Sequence, residues 1–423
     1  MKICIITLGC KVNSYESESL AGDFARAGFL VTTKLEMADV YLINSCAVTN
    51  IAEHKSREVV TKINKINPNA KIYVCGCSSQ LHPESFLTKQ NVVAIMGTEN
   101  KNEIINIIRN GQTGDQRAPI NNTAYNPHYL ANILKTRTYI KVQDGCNNFC
   151  SYCIIPYTRG RERSRSIEDI KKELDSVYGK TGEVVIVGIN MAAYGKDLSP
   201  RRTVSDIVRL FSNYQGLRLR FSSFEMGTIT EEFLQEAQKL DGFCPFFHIS
   251  MQSASNSVLA KMNRKYKIEE YIETVNLVRR YFPKANISTD IIVGFPTETQ
   301  QDHMETIENV KKIKFGNVHI FPYSSREGTV AGKLKKINGV TVKERIAELK
   351  QVTDASREEY LNCLINDQDE VLVEEKNGAY YTGYTKTYVK CYIKCNCDLI
   401  NKIVKVKLTK TMLDGLEGEV IYE

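Results

Sequence analysis

Six cysteines, in two sets of three, could do chemistry in this chain. Cys146, Cys150 and Cys153 stand at a C-x3-C-x2-C spacing just past a strand-like run, Thr138 to Val142. Three thiolates can hold three irons of a cubane 4Fe–4S cluster and leave the fourth iron open to a small molecule that the cluster can reduce. Structural zinc is the rival, but it closes its shell with four ligands, and no His or Cys follows within the next forty residues. Cys10, Cys46 and Cys77 lie 36 and 31 residues apart, each just past a short apolar run. Singly, each reads as a small buried cysteine near a turn. Three in the same topological place suit a second cluster with another open iron. Cys75 competes with Cys77, but lies inside a strand, whereas Cys77 sits past Gly76, where backbone freedom suits a ligand. Cys4, interior to a strand, reads as core.

The elements that must position these cysteines follow from the pattern. Up to about residue 115 short β runs (Lys2–Leu8, Val40–Asn44, Lys71–Val74, Val92–Met96) alternate with helical periods (Tyr15–Ala27, Ala52–Ile66, Asn102–Arg109). That predicts a doubly wound parallel sheet over 1–115, with Cys10, Cys46 and Cys77 converging at the carboxyl ends of its strands. Residues 116–137 read as a linker. Over 138–340, six strand-like runs (Thr138–Val142, Val184–Ile189, Arg218–Phe224, Phe246–Met251, Ile287–Val293, Val318–Tyr323) separated by helical patterns predict a barrel or partial barrel. Its chemistry belongs at the carboxyl ends of the strands, where Gly188 with Asn190, Ser222-Ser223 with Glu225, Gln252 with Ser253, and Gly294-Phe295-Pro296 fall. Each of these also fits a turn or capping residue. Residues 341–367 read as a connecting helix, and 368–423 as a small antiparallel β-barrel.

The formal charge of +7 permits a polyanionic partner without demanding one. Thirteen cysteines with no secretory signal and no bilayer-length apolar run point to a reducing cytoplasm and away from a membrane protein. The stretch Arg159-Gly160-Arg161-Glu162-Arg163-Ser164-Arg165 could face substrate phosphates or form a solvated loop. Between Tyr384 and Lys410 seven Lys, among them Lys386, Lys390 and Lys394, stand against one Asp, with Tyr384, Tyr388 and Tyr392 interleaved. This is either an RNA-binding face or an edge protected by Lys. Cys391, Cys395 and Cys397 have no standard ligand spacing and read as a decoy.

The spacing at Cys146, Cys150 and Cys153 resembles that of the radical S-adenosylmethionine (SAM) enzymes. Thr7-Leu8-Gly9-Cys10-Lys11-Val12-Asn13 with Glu16-Ser17-Glu18, Asn44-Ser45-Cys46-Ala47-Val48-Thr49 and Gly76-Cys77 resemble the amino-terminal domain of the methylthiotransferases. So do Asp144 to Tyr157, Arg159-Gly160, Arg163 to Ser166, Gln252-Ser253, Lys261 to Tyr266 and Thr289 to Pro296, so that the resemblance covers nearly the whole chain. The Gly-Cys-Lys-Val-Asn form resembles the branch acting on N6-threonylcarbamoyladenosine in tRNA. Met226, Ala254 and Thr297 depart from the family pattern.

The resemblance implies a six-unit partial barrel, a carboxyl-terminal TRAM-like RNA-binding domain, SAM, and two 4Fe–4S clusters. The cluster on Cys146, Cys150 and Cys153 would cleave SAM, and the cluster on Cys10, Cys46 and Cys77 would hold the sulfur. It implies that Glu225 accepts from the SAM ammonium or ribose and that Tyr152 packs on the adenine, with Gly188, Asn190, Gln252, Ser253 and Arg264 as further cofactor-binding candidates. Arg159, Arg163, Arg165, Lys386, Lys390 and Lys394 are the RNA-binding candidates. The product would carry a methylthio group at carbon 2 of the adenine just 3′ of the anticodon, with electrons from a flavodoxin or ferredoxin. No acid or base is assigned, because an unactivated aromatic C–H has no useful acidity. The alternatives are the same chemistry on N6-isopentenyladenosine or a ribosomal protein, or a non-catalytic metal-containing RNA-binding protein.

Overall fold

The computed structural model describes residues 1–120, 125 and 136–422. Strands β1 (Lys2–Thr7), β2 (Leu30–Thr32), β3 (Val40–Ser45), β4 (Lys71–Gly76), β5 (Val92–Ile95) and β6 (Gly114–Asp115) form one parallel sheet in the order β2-β1-β3-β4-β5-β6. Near-continuous apolar strands of this kind need cover on both faces. Phe24, Ile104 and Ile107 cover one face, and Val60, Ile63 and Phe86 the other. The order reverses at β1 and β3, so the crevice beyond their carboxyl ends is the switch point where such sheets bind ligands. Helix α1 (Lys11–Arg26) begins four residues before the expected Tyr15, making Cys10 its N-cap. Helices α2 (Asn50–Ile66) and α3 (Cys77–Leu81) follow β3 and β4. β2 and β6, three and two residues long, are too short to carry a sequence signal.

The linker expected over 116–137 falls mostly outside the described residues. Beyond it β7 (Arg137–Lys141) starts an arc of six parallel strands, with a small antiparallel pair, β8 (Gln143–Asp144) and β9 (Arg163–Ser164), folded over the cysteine loop. The arc continues through β10 (Glu183–Val187), β11 (Arg218–Phe221), β12 (Phe246–His248), β13 (Asn286–Val293) and β14 (Asn317–Pro322). Bridges Leu219–Phe243 and Phe224–Ile249 join its two halves. This is the expected partial (β/α)6 barrel. Side chains alternate across it. Ile140, Val184, Ile186, Leu219, Phe221, Phe247, Ile249, Ile287 and Ile291 bury against the helices. Arg137, Arg220, His248, Asp290 and His319 fall on the other, inner face.

Helix Gly339–Cys363 leads to a closed five-stranded barrel, β15 (Gln368–Asn377), β16 (Tyr380–Thr385), β17 (Lys390–Ile393), β18 (Ile403–Met412) and β19 (Gly415–Val420). It is antiparallel except for the β17–β19 pair. This barrel stoppers the amino-terminal end of the arc. Tyr388 lies under the Arg220 guanidinium at 3.9 Å, Tyr384 stacks on Tyr388 at 4.5 Å, and Asn286 Nδ2 donates to Thr387 O at 2.9 Å.

Candidate active site

Two glycines assemble the first cysteine set. Gly9 has φ +100, and a Cβ there would lie 2.5 Å from Cys46 Sγ; Gly76 has φ +104, and its Cβ would lie 2.4 Å from Ser45 O. Only glycine permits both the conformation and the approach. Each stands directly before a cysteine, so β1 and β4 turn toward the end of β3. Asn13 Nδ2 donates to Leu8 O (2.7 Å) and Ser45 O (3.1 Å), tying the β1 turn to the β3 turn. Cys46 and Cys77 are buried and Cys10 is exposed. Burial, and then the nearby Cys77 and Cys10, push the Cys46 thiol up to about 12.

The second set is held by its neighbours in space. A Cβ on Gly145 (φ +72) would lie 1.9 Å from Arg161 O, Cys146 N donates to Gly160 O at 3.1 Å, and Asn263 Nδ2 donates to Phe149 O at 3.0 Å. Burial raises Cys146 to about 11 and Cys153 to about 12, with Cys150 adding to both. Such thiols keep their protons in neutral water, and iron must displace them. Three cysteines at neighbouring strand ends, and three in one loop, each trio's thiols raising one another, are the donor set a cubane cluster takes. The loop of the second set touches the turn of the first: Cys77 packs with Ala47 against Ile154, the residue after Cys153.

Beside Cys150 a cavity of about 280 Å³ is lined by Asn148, Glu162, Asn190, Glu225 and Arg264. Arg264 Nη2 donates to Glu225 Oε2 at 2.6 Å, and its Nη1 lies 3.7 Å from Cys150 Sγ. Asn190 Nδ2 donates to Glu162 Oε1 at 2.9 Å, whereas Asn190 Oδ1 is buried without a partner among the described residues. A lone acceptor and an Arg–Glu pair around a cysteine-lined hollow fit a small zwitterion such as SAM. Glu162 stands inside a basic run, and nothing in the sequence marks it as a cavity residue.

The remaining cofactor candidates lie elsewhere. Tyr152 packs among Val258, Met262 and Phe295, with its hydroxyl pushed well up by burial. Gly188 is a packing residue, since a Cβ there would meet Met191 Sδ at 2.6 Å. Gln252 (φ 72) pairs with β13 through its backbone, and Ser253 Oγ accepts from Ser255 N at 3.3 Å. None of these four lines the cavity.

The basic stretch does not face phosphates. Arg159, Arg163 and Arg165 are buried and ion-paired. Arg159 pairs with Glu16 and Asp144, Arg163 with Glu99, and Arg165 with Asp169 and Glu173. A charge run in sequence carries no information on partners supplied by other domains. Glu16 also takes Lys101 (2.5 Å) and Lys141 (2.9 Å), which makes a buried ionic knot behind both cysteine sets that the sequence reading missed. Lys386 Nζ donates to Asp241 O and pairs with Glu370 at 3.2 Å, and Lys390 pairs with Asp414 at 3.5 Å. Tyr384 and Tyr388 are spent on the arc, so they offer no stacking platform. Lys394 is exposed, as are Lys405 and Lys407 on the outer face of β18.

Residues 140–310 match the radical SAM superfamily and residues 2–97 match an uncharacterised family, UPF0004. The chain is 35% identical over 98% of its length to a threonylcarbamoyladenosine tRNA methylthiotransferase, MtaB, of Bacillus subtilis, covering 95% of it. It is 37% identical to the MtaB of Thermotoga maritima, over 88% of this chain and 86% of that one. It is 34% identical to a tRNA-2-methylthio-N(6)-dimethylallyladenosine synthase of Petrotoga mobilis, over 100% and 99%. A solved radical S-adenosylmethionine methyltransferase, TsrM, from Kitasatospora setae shares the fold, with a TM-score of 0.56 at 14% identity over 78% of this chain and 77% of that one.

Proposed function

The chain belongs to the methylthiotransferase family of radical SAM enzymes, and on that premise we propose that it converts N6-threonylcarbamoyladenosine of tRNA into its 2-methylthio derivative. SAM and two 4Fe–4S clusters are its cofactors. In this reading Cys146, Cys150 and Cys153 hold the cluster that takes SAM, and Cys10, Cys46 and Cys77 hold the auxiliary one. Bound there, these groups supply a hydrogen-abstracting radical and the sulfur to be transferred. The protein's own share is position. Arg264 and Glu225 form a charge pair at Cys150 that can meet the carboxylate and ammonium of SAM, and the Asn190 carbonyl can accept from it. Gly9 and Gly76 bend the chain at the ends of two strands just before Cys10 and Cys77, and Ile154 against Cys77 sets the loop of the second set on the turn of the first.

The contact of Cys77 with Ile154 supports this reading most, since two cofactor sites acting on one carbon must share a cleft. Lys394, exposed as expected, with Lys405 and Lys407 on the outer face of β18, are the RNA-binding residues of this reading. Electrons would come from a flavodoxin or ferredoxin. Among the described residues no helix is long and apolar enough to cross a membrane, and the cytoplasm, where tRNA is, is the proposed compartment. The test is expression in a bacterium lacking its own such enzyme, with mass spectrometry of tRNA nucleosides. 2-Methylthio-N6-threonylcarbamoyladenosine is the expected product, and a 2-methylthio derivative of dimethylallyladenosine instead would assign the chain to its other relatives' reaction.

A further inference from the structure

The inner face of the arc holds a polar group that the cofactors do not use. Lys11, next to Cys10, leaves its own domain and donates from Nζ to Ser222 O at the end of β11, 3.4 Å away. Among the described residues it has no other hydrogen bond and no ion pair. The end of β11 opens onto the inner face that carries Asp290 and His319, where, against burial, His248 and to a smaller extent Lys11 hold the Asp290 carboxyl below its ordinary range. Asp290 is already engaged by His248 Nε2 at 3.3 Å, and His248 Nδ1 meets Ser288 Oγ at 3.0 Å. His319 is exposed on the inner face of β14 and stacks on Phe321, itself 44% exposed, with centroids 6.3 Å apart. His248, Asp290 and His319 place ligand atoms within 4.8 Å of one another, as a divalent cation would need. The Lys11 ammonium beside them opposes a cation and favours an anion.

The two substrates named for the relatives differ in this respect. A dimethylallyl group is a hydrocarbon and would leave Lys11 facing it unpaired, which is costly away from water. A threonylcarbamoyl group carries one carboxylate and one hydroxyl. We propose that Lys11, with His319 beside it, receives that carboxylate, that Asp290 accepts from the hydroxyl, and that this polar wall selects the acidic adenosine side chain over the apolar one. The inference rests on the proposed function and deepens it.

The test uses the full-length, anaerobically reconstituted enzyme and three anticodon stem-loops. One carries N6-threonylcarbamoyladenosine, one its methyl ester, and one dimethylallyladenosine. Wild type should bind the acid about 10- to 100-fold more tightly than the ester, the loss expected when a charge-assisted contact is removed. Lys11→Met should lose that factor for the acid alone, and Lys11→Arg should restore most of it. Iron content and the cluster absorption band report whether Cys10 still binds. If Lys11→Met loses iron, the wild-type comparison of acid with ester and the Asp290→Asn variant decide. Equal binding of acid and ester by wild type overturns the inference while leaving the proposed function intact. Turnover of the dimethylallyl stem-loop, with none of the acid, overturns both.

Discussion

Arg159 Nη1 donates to Glu16 Oε1 at 2.8 Å with both residues 1% exposed. Glu16 lies six residues past Cys10 and Arg159 six past Cys153, so this buried pair joins the frames of the two cysteine sets. Removing one partner of a buried pair strands the other charge, at about 3–5 kcal/mol. Glu16→Gln leaves Arg159 and Lys141 sharing Asp144, and Lys101 on the neutral Asn44 amide oxygen. The expected outcome is a fall of that size in denaturant stability, measured on the cluster-free chain. A change below about 1 kcal/mol would mean that water or rearrangement absorbs the charge.

The same carboxylate makes stability depend on acid. Burial opposes its charge, but Arg159, Lys101 and Lys141 outweigh burial and hold it well below the ordinary 4.5. A folded pKa below the unfolded one contributes stability that is complete above pH 4.5 and is lost as pH falls toward the folded value. Unfolding midpoints of the wild type should therefore drop through that window. Glu16→Gln should show a shallower drop, and parallel curves would rule out Glu16 as the source.

Gly9→Ala tests the assembly of the first set. The new methyl would meet Cys46 Sγ at 2.5 Å and the backbone is left-handed, so the turn carrying Cys10 must move. Reconstituted iron should fall by about half, with the signal of the other cluster kept. Gly28→Ala, also at positive φ but with nothing within 4 Å of its new Cβ, should keep all its iron.

Much of this was legible in sequence because short-range rules govern it. Alternating β and α periods gave the sheet and the arc, and the Gly-Cys pairs marked the turns where Cys10 and Cys77 emerge. The partners of charged residues were not legible. Arg159, Arg163 and Arg165 look like a phosphate-binding run, yet the carboxylates that neutralise them include Glu16 and Glu99, 143 and 64 residues away. Tyr384 and Tyr388 look like stacking residues until the arc's Arg137 and Arg220 are seen over them. Sequence periodicity says which face a residue takes, and only the docking of domains says what that face meets.

Asn190 is where the cavity lacks something. Its Oδ1 is buried and unpaired among the described residues, while its Nδ2 is fixed on Glu162, so the amide cannot turn to hide the acceptor. A donor on SAM would satisfy it. Asn190→Ala should weaken SAM binding about tenfold, the worth of one buried hydrogen bond, with both clusters unchanged by absorption. Equal affinity in the variant would place SAM away from this wall.

The lysines of the small barrel divide by where they stand. Lys386 is held by Asp241 and Glu370 at the junction with the arc, whereas Lys405 and Lys407 alternate outward along β18 with Val406 buried between them. Phosphate contacts release counterions, and each one lost should lower the slope of log affinity against log salt by about one. Lys405→Ala with Lys407→Ala should weaken binding of any tRNA and flatten that slope by about two. Lys386→Ala should leave the slope alone and lower stability instead. If Lys386→Ala flattens the salt dependence and the β18 pair does not, the RNA face lies at the junction of the two barrels and β18 is merely a charged, solvated strand.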